Sequence, residues 1–129
     1  MSSLQQIALI VREYDEAIHF YTSKLGFELI EDKKMSETKR WVIVSPKGSA
    51  CQLLLAKAVG DEQTSRIGNQ TGGRVFLFLY TDNFEAEYNH MKNNGVEFIR
   101  ERTEEDWGTV AVFKDLYGNL WDFIQRKNL

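Results

Sequence analysis

Apolar residues cluster in two short runs, Ile7 to Val11 and Leu77 to Tyr80, that carry hydrophobic side chains at both parities. That pattern predicts buried strands over 5–12 and 74–81. The spacing then changes. Tyr14, Ala17/Ile18, Tyr21 and Leu25 recur at helical intervals, as do Phe84, Tyr88 and Met91. Asp82 or Asn83 is the expected N-cap of the second helix, and Gly26 and Gly95 supply the left-handed stops. Three further strands are predicted after each helix: 27–33, 40–45 and 50–57, then 96–101, 108–113 and 119–126. The turns Pro46-Lys47-Gly48 and Asp115-Leu116-Tyr117-Gly118-Asn119 join the last two strands of each half as hairpins.

Each half therefore reads β-α-β-β-β, and the halves repeat one another. Gly26-Phe27-Glu28-Leu29-Ile30 returns as Gly95-Val96-Glu97-Phe98-Ile99, and Val42 and Gly48 return as Val112 and Gly118. Two copies make paired half-domains rather than an array, which needs three or more. The expected organisation is a single domain over 1–129, with modules at about 4–57 and 74–127 and a linker at 58–73. Function is expected where the halves face each other.

Composition narrows the class. The chain has 129 residues, 43% hydrophobic and 27% charged, which suits an ordinary globular domain with a real core. A net charge of −3 gives no electrostatic footprint for nucleic acid or an anionic membrane. No apolar run approaches the ~20 residues of a membrane span. The expected location is the cytoplasm. The lone Cys51 cannot form an internal disulfide and is expected to be a buried, inert thiol.

Ala17-Ile18-His19-Phe20-Tyr21 leading to Leu25-Gly26-Phe27, inside a duplicated βαβββ module, resembles the vicinal oxygen chelate superfamily. That group includes glyoxalase I, extradiol dioxygenases and bleomycin-resistance proteins. The closing stretch Phe113-Lys114-Asp115-Leu116-Tyr117-Gly118-Asn119-Leu120-Trp121-Asp122 is similar to the family's D-P-x-G-x-x-x-E ending. The resemblance implies an α+β fold in which two tandem βαβββ modules form a curved, cup-like mixed sheet with helices outside.

Metalloenzymes of that superfamily usually carry one His, Gln or Glu ligand on the first and last strand of each half. Carried over, those positions fall on Gln6, Gln52, Phe76 and Asp122. Phe76 has no donor atom, and two neutral amides with one carboxylate make a poor divalent-ion set beside the His, Cys and carboxylate of catalytic zinc sites. The only histidines, His19 and His90, lie in the helices and read as surface or packing residues. No metal, cofactor or catalytic residue is therefore assigned. Strand parity puts Phe78 and Tyr80 with Phe76, and Ile124 with Asp122, on the cup-facing side. Such a surface suits a planar or greasy ligand fixed by a few polar contacts, unless these rings simply fill the cup as core.

Trp107, ahead of the seventh strand, either covers a ligand or anchors its loop. The acidic run from Glu101 to Asp106 is a solvated loop or an attraction for a cation. No phosphate-cradling glycine loop is present, since Thr71-Gly72-Gly73 precedes a strand. The expected function is a glyoxalase/bleomycin-resistance-like protein that binds a small aromatic or apolar molecule through Gln6, Gln52, Phe76, Phe78, Tyr80, Trp107 and Asp122. The alternative is a metal-dependent lyase, isomerase or dioxygenase with an unorthodox site. The resemblance also implies a homodimer.

Overall fold

The computed structural model describes residues 1–127. The chain is α+β and divides into two compact units, residues 1–67 and from residue 68 onward. The first unit runs β1 (Gln6–Val11), α1 (Tyr14–His19), β2 (Glu28–Lys34), β3 (Arg40–Ser45), β4 (Gln52–Lys57) and α2 (Gly60–Ser65). A π-helical segment, Phe20–Lys24, continues α1. Its sheet has the order β1-β4-β3-β2, with β1 parallel to β4 and the other pairs antiparallel. The second unit runs β5 (Val75–Tyr80), α3 (Phe84–Asn93), β6 (Phe98–Glu105), β7 (Gly108–Lys114) and β8 (Leu120–Arg126). Its sheet repeats the topology as β5-β8-β7-β6. None of the helices among the described residues is long and apolar enough to cross a membrane.

In the first unit, Leu9, Leu55 and Val42 lie opposite one another across three strands, so they share a face. All three are fully buried, as are Ala17 and Tyr21 of the helical segment, and α1 packs against β3 and β4. Each such aliphatic side chain contributes about 1.5–3 kcal/mol by leaving water. In the second unit α3 lays its Phe84, Tyr88 and Met91 stripe on the sheet, with the Phe84 ring 4.6 Å from Phe123 and Tyr88 4.7 Å from Phe98. Phe113 stacks on Trp121 at 5.6 Å behind them.

Helix α3 begins after Asn83, whose side chain makes no capping bond. The cap comes from the sheet instead: Phe84 N–H donates to Gln125 Oε1 of β8 at 2.7 Å. The β7–β8 turn is built around buried Asp115. Its Oδ1 accepts from the backbone N–H groups of Tyr117, Gly118 and Asn119 at 2.9–3.0 Å, and Oδ2 accepts from Asn119 Nδ2 at 3.0 Å.

Three expectations change. The first strand of each half is an edge strand, more covered on one face than on the other: in β1 Leu9 and Val11 are buried while Gln6 and Ala8 are exposed, and in β5 Leu77 and Leu79 are half-buried while Phe78 and Tyr80 are exposed. Apolar residues at both parities thus mark an uncovered apolar face, not double burial. The stretch expected as a bare linker contains α2, which has no buried residue and therefore left no hydrophobic period to detect. Cys51 is exposed, because β4 starts at Gln52 and leaves it in the hairpin turn.

Candidate functional site

The face of the second sheet turned away from α3 is set by its register. Phe78 lies opposite Asp122 and Tyr80 opposite Ile124 across β5–β8, and Arg126 lies opposite Gly108 across β7–β8. Paired residues share a face and residues two apart repeat it. Phe78, Tyr80, Asp122, Ile124 and Arg126 therefore project together, while Trp121 and Phe123 point to the core.

Trp107 joins them from the β6–β7 turn. Lys127 N–H donates to its carbonyl at 2.9 Å, tying the turn to the end of β8. Gly108, at φ +155°, makes that approach possible: a Cβ there would sit 2.2 Å from the Gln125 carbonyl oxygen. The result is a hollow of about 390 Å³ lined by Phe78, Tyr80, Trp107, Ile124, Arg126 and Lys127. Phe78, Tyr80 and Trp107 are 58%, 52% and 51% exposed. Burying a large ring normally brings about 1.5–3 kcal/mol, so three on one hollow are stability left unused. The Arg126 guanidinium stands 5.1 Å over the Tyr80 ring.

Asp122 is next to Phe78 in this array, and its carboxyl makes no hydrogen bond or ion pair with a described residue. Partial burial pushes its carboxyl above the ordinary aspartate range, and the field of Arg100 opposes this only in part. Arg102 is committed elsewhere, to Glu85 and Glu104. Phe76 falls at a register irregularity between Val75 and Leu77, half-buried, without a cross-strand partner. In the first unit Gln6 and Gln52 lie opposite each other on the parallel strands β1 and β4. So Phe78, Tyr80 and Trp107 converge within one hollow, Asp122 lies along the same face, and Phe76 does not line the hollow. Arg126 and Lys127 are the lining residues that sequence reasoning missed. Arg126 was within reach of it, two positions after Ile124 on a strand whose parity had been read.

The first unit has its own hollow of about 750 Å³, lined among others by Arg40, Trp41, Leu54, Ala56, Lys57 and Gln63. Among the described residues two of its three lining cations are already paired, and Lys39 is not. Arg40 contacts Asp32 at 2.7 Å and Asp15 at 2.9 Å, which raise its pKa further, and Lys57 contacts Glu13 at 3.3 Å.

The sequence profile of the Glyoxalase/Bleomycin resistance protein/Dioxygenase superfamily matches residues 3–123. The chain belongs to this superfamily. An uncharacterized protein of Shewanella frigidimarina (strain NCIMB 400) is 59% identical over 125 residues, spanning 95% of this chain and 93% of its own. Among solved structures, UcmS2 superposes with a TM-score of 0.83 at 31% identity, over 96% of this chain and 98% of that one. TnmS3, an antibiotic binding protein from Streptomyces sp. CB03234, does so with a TM-score of 0.78 at 26% identity, over 98% of each chain.

This superfamily member departs from its metalloenzyme relatives in donor chemistry. Gln6, Gln52, Phe76 and Asp122 offer two neutral amides, one carboxylate and one position without a donor. His19 and His90 are exposed on helices, and no group of three His, Cys, Asp or Glu side chains among the described residues is placed to hold an ion. These residues do not fit a divalent metal.

Proposed function

We propose that this superfamily member is a binding protein for a small organic molecule with an aromatic ring system, held without a metal on the second module. The observation that carries this reading is the convergence of exposed Phe78, Tyr80 and Trp107 on one hollow. Ring pairs contribute about 0.5–1.5 kcal/mol each beyond area burial, so two or three stacked rings support micromolar affinity for a full-sized ligand. The likeness to an antibiotic binding protein supports binding over turnover. A metal-dependent lyase, isomerase or dioxygenase is the second reading, and the unpaired carboxyl of Asp122 is what favours it.

Two measurements test the proposal together. Purified protein should hold less than ~0.2 equivalents of zinc, nickel, iron or manganese, because a weak donor set gives little affinity. Neutral 2-naphthol should bind with Kd below ~1 mM, read by tryptophan fluorescence, and Phe78→Ala or Trp107→Ala should weaken it about tenfold. Stoichiometric metal with binding abolished by a chelator would restore the enzyme. Naphthol binding indifferent to both substitutions would remove the site from this hollow.

A further inference from the structure

We infer that the hollow selects aromatic anions: flat molecules carrying a sulfonate, carboxylate or phenolate that Arg126 and Lys127 clasp while the rings pack on Phe78 and Trp107. This rests on the aromatic-binding reading and names the charge of its ligand. Among the described residues the two charged side chains in the lining are both cations, and no acid lines it. Neither Arg126 nor Lys127 forms an ion pair with a described residue. Elsewhere on this unit Lys92, Arg102 and Lys114 are matched, to Glu101, to Glu85 and Glu104, and to Glu97, while Arg74 and Arg100, which do not line the hollow, form no ion pair with a described residue.

The geometry of Arg126 strengthens the case. Its guanidinium lies over the Tyr80 ring, a cation–π contact that holds the charge beside the hollow. The N–H donors of a guanidinium lie in its plane and form a fork that matches a two-oxygen anion. Of the acids in the β6–β7 hairpin, Glu105 accepts from Thr103 at 3.2 Å, and Glu104 accepts from Thr109 at 2.7 Å and pairs with Arg102, whereas Asp106, next to Trp107, is exposed and has no such partner among the described residues. Glu104 feels Lys127 at a distance, so Arg126 is the stronger anchor of the two. Asp122 lies beyond Ile124 along β8 and faces the field of Arg100.

The test compares three naphthalenes of one shape and different charge: 2-naphthalenesulfonate, 2-naphthol and 2-naphthylmethylammonium, titrated at pH 7 in low salt. The sulfonate should bind at least tenfold more tightly than naphthol, and the ammonium more weakly than both. Raising ionic strength should erode the preference, because exposed charges are screened beyond about 10 Å at 0.1 M salt. In the double variant Arg126→Gln/Lys127→Gln the preference should fall below twofold. Naphthol binding that depends on Phe78 and Trp107, with no gain for the sulfonate or a preference that survives the double variant, overturns the charge inference and leaves the aromatic reading standing. Failure of every naphthalene to bind, or equal binding by Phe78→Ala and Trp107→Ala, overturns both.

Discussion

Asp122 shows what one carboxyl does on an apolar sheet face. Burial disfavours its charge and no hydrogen bond or ion pair with a described residue repays the cost, so its folded pKa is raised. An unfolded aspartate titrates near 3.9. Below that value both states are protonated and the group costs the fold nothing. As pH rises through the unfolded value toward the folded one, the unfolded chain ionises first and stability is lost. Asp122→Asn should therefore match the parent near pH 3 and be the more stable protein at pH 7.5. The gain should stay below about 1 kcal/mol, because the carboxyl remains partly in water. Denaturant melts at both pH values check this, and a loss above about 2 kcal/mol at pH 7.5 would mark a paired, structural carboxylate. Sequence parity had already placed Asp122 and Ile124 on one face. It had no means of seeing that Cys51 sits outside β4, since a residue next to a turn keeps its hydrophobic character whether or not the ladder reaches it.

The strands and the two core-packed helices were legible because each repeats its own period, whereas α2 buries nothing and was not. The last strands of both halves start one or two residues from their expected positions, and α3 covers the expected stripe. Register was not legible, because hydrophobic pattern fixes parity within a strand but not which residue faces which. The repeat equates Val42 with Val112. Yet Val42 lies opposite buried Leu55, and Val112 opposite Asp122. The hairpin loops explain this: residues 46–51 join β3 to β4, whereas the shorter 115–119 joins β7 to β8. The shorter loop is held by Asp115, whose Oδ1 accepts from three backbone donors. Asp115→Ala should cost about 2–4 kcal/mol, since bonds to a charged acceptor are worth ~1.5–3 kcal/mol each and losses in one turn overlap. Asp115→Asn keeps the accepting oxygen and should lose less than half of that, both read from denaturant melts at pH 7.

Across the whole molecule the sheet edges are of two kinds. β2 carries Glu28, Glu31, Asp32, Lys33 and Lys34, and β6 carries Arg100, Glu101, Arg102, Glu104 and Glu105. Charge of this density discourages another strand from pairing. β1 and β5 have no charged residue at all. We propose on this ground, with the family resemblance, that the chain works as a homodimer; light scattering should give twice 15.0 kDa. A mass of 15.0 kDa across micromolar concentrations would remove the dimer. The strand orders also carry a consequence for synthesis. β4 and β8 are the last strands of their sheets to leave the ribosome, yet each is the only link between its sheet's first strand and the remaining pair. Gln6 waits for Gln52, and Phe78 for Asp122, so neither first strand has a home until its module is almost fully translated. A stop codon that removes everything after Asn119 would thus delete a hub rather than a tail. Its product should show β5 cut by protease at a dose that spares the full chain, and a nascent chain paused at the same point should be a substrate for chaperones.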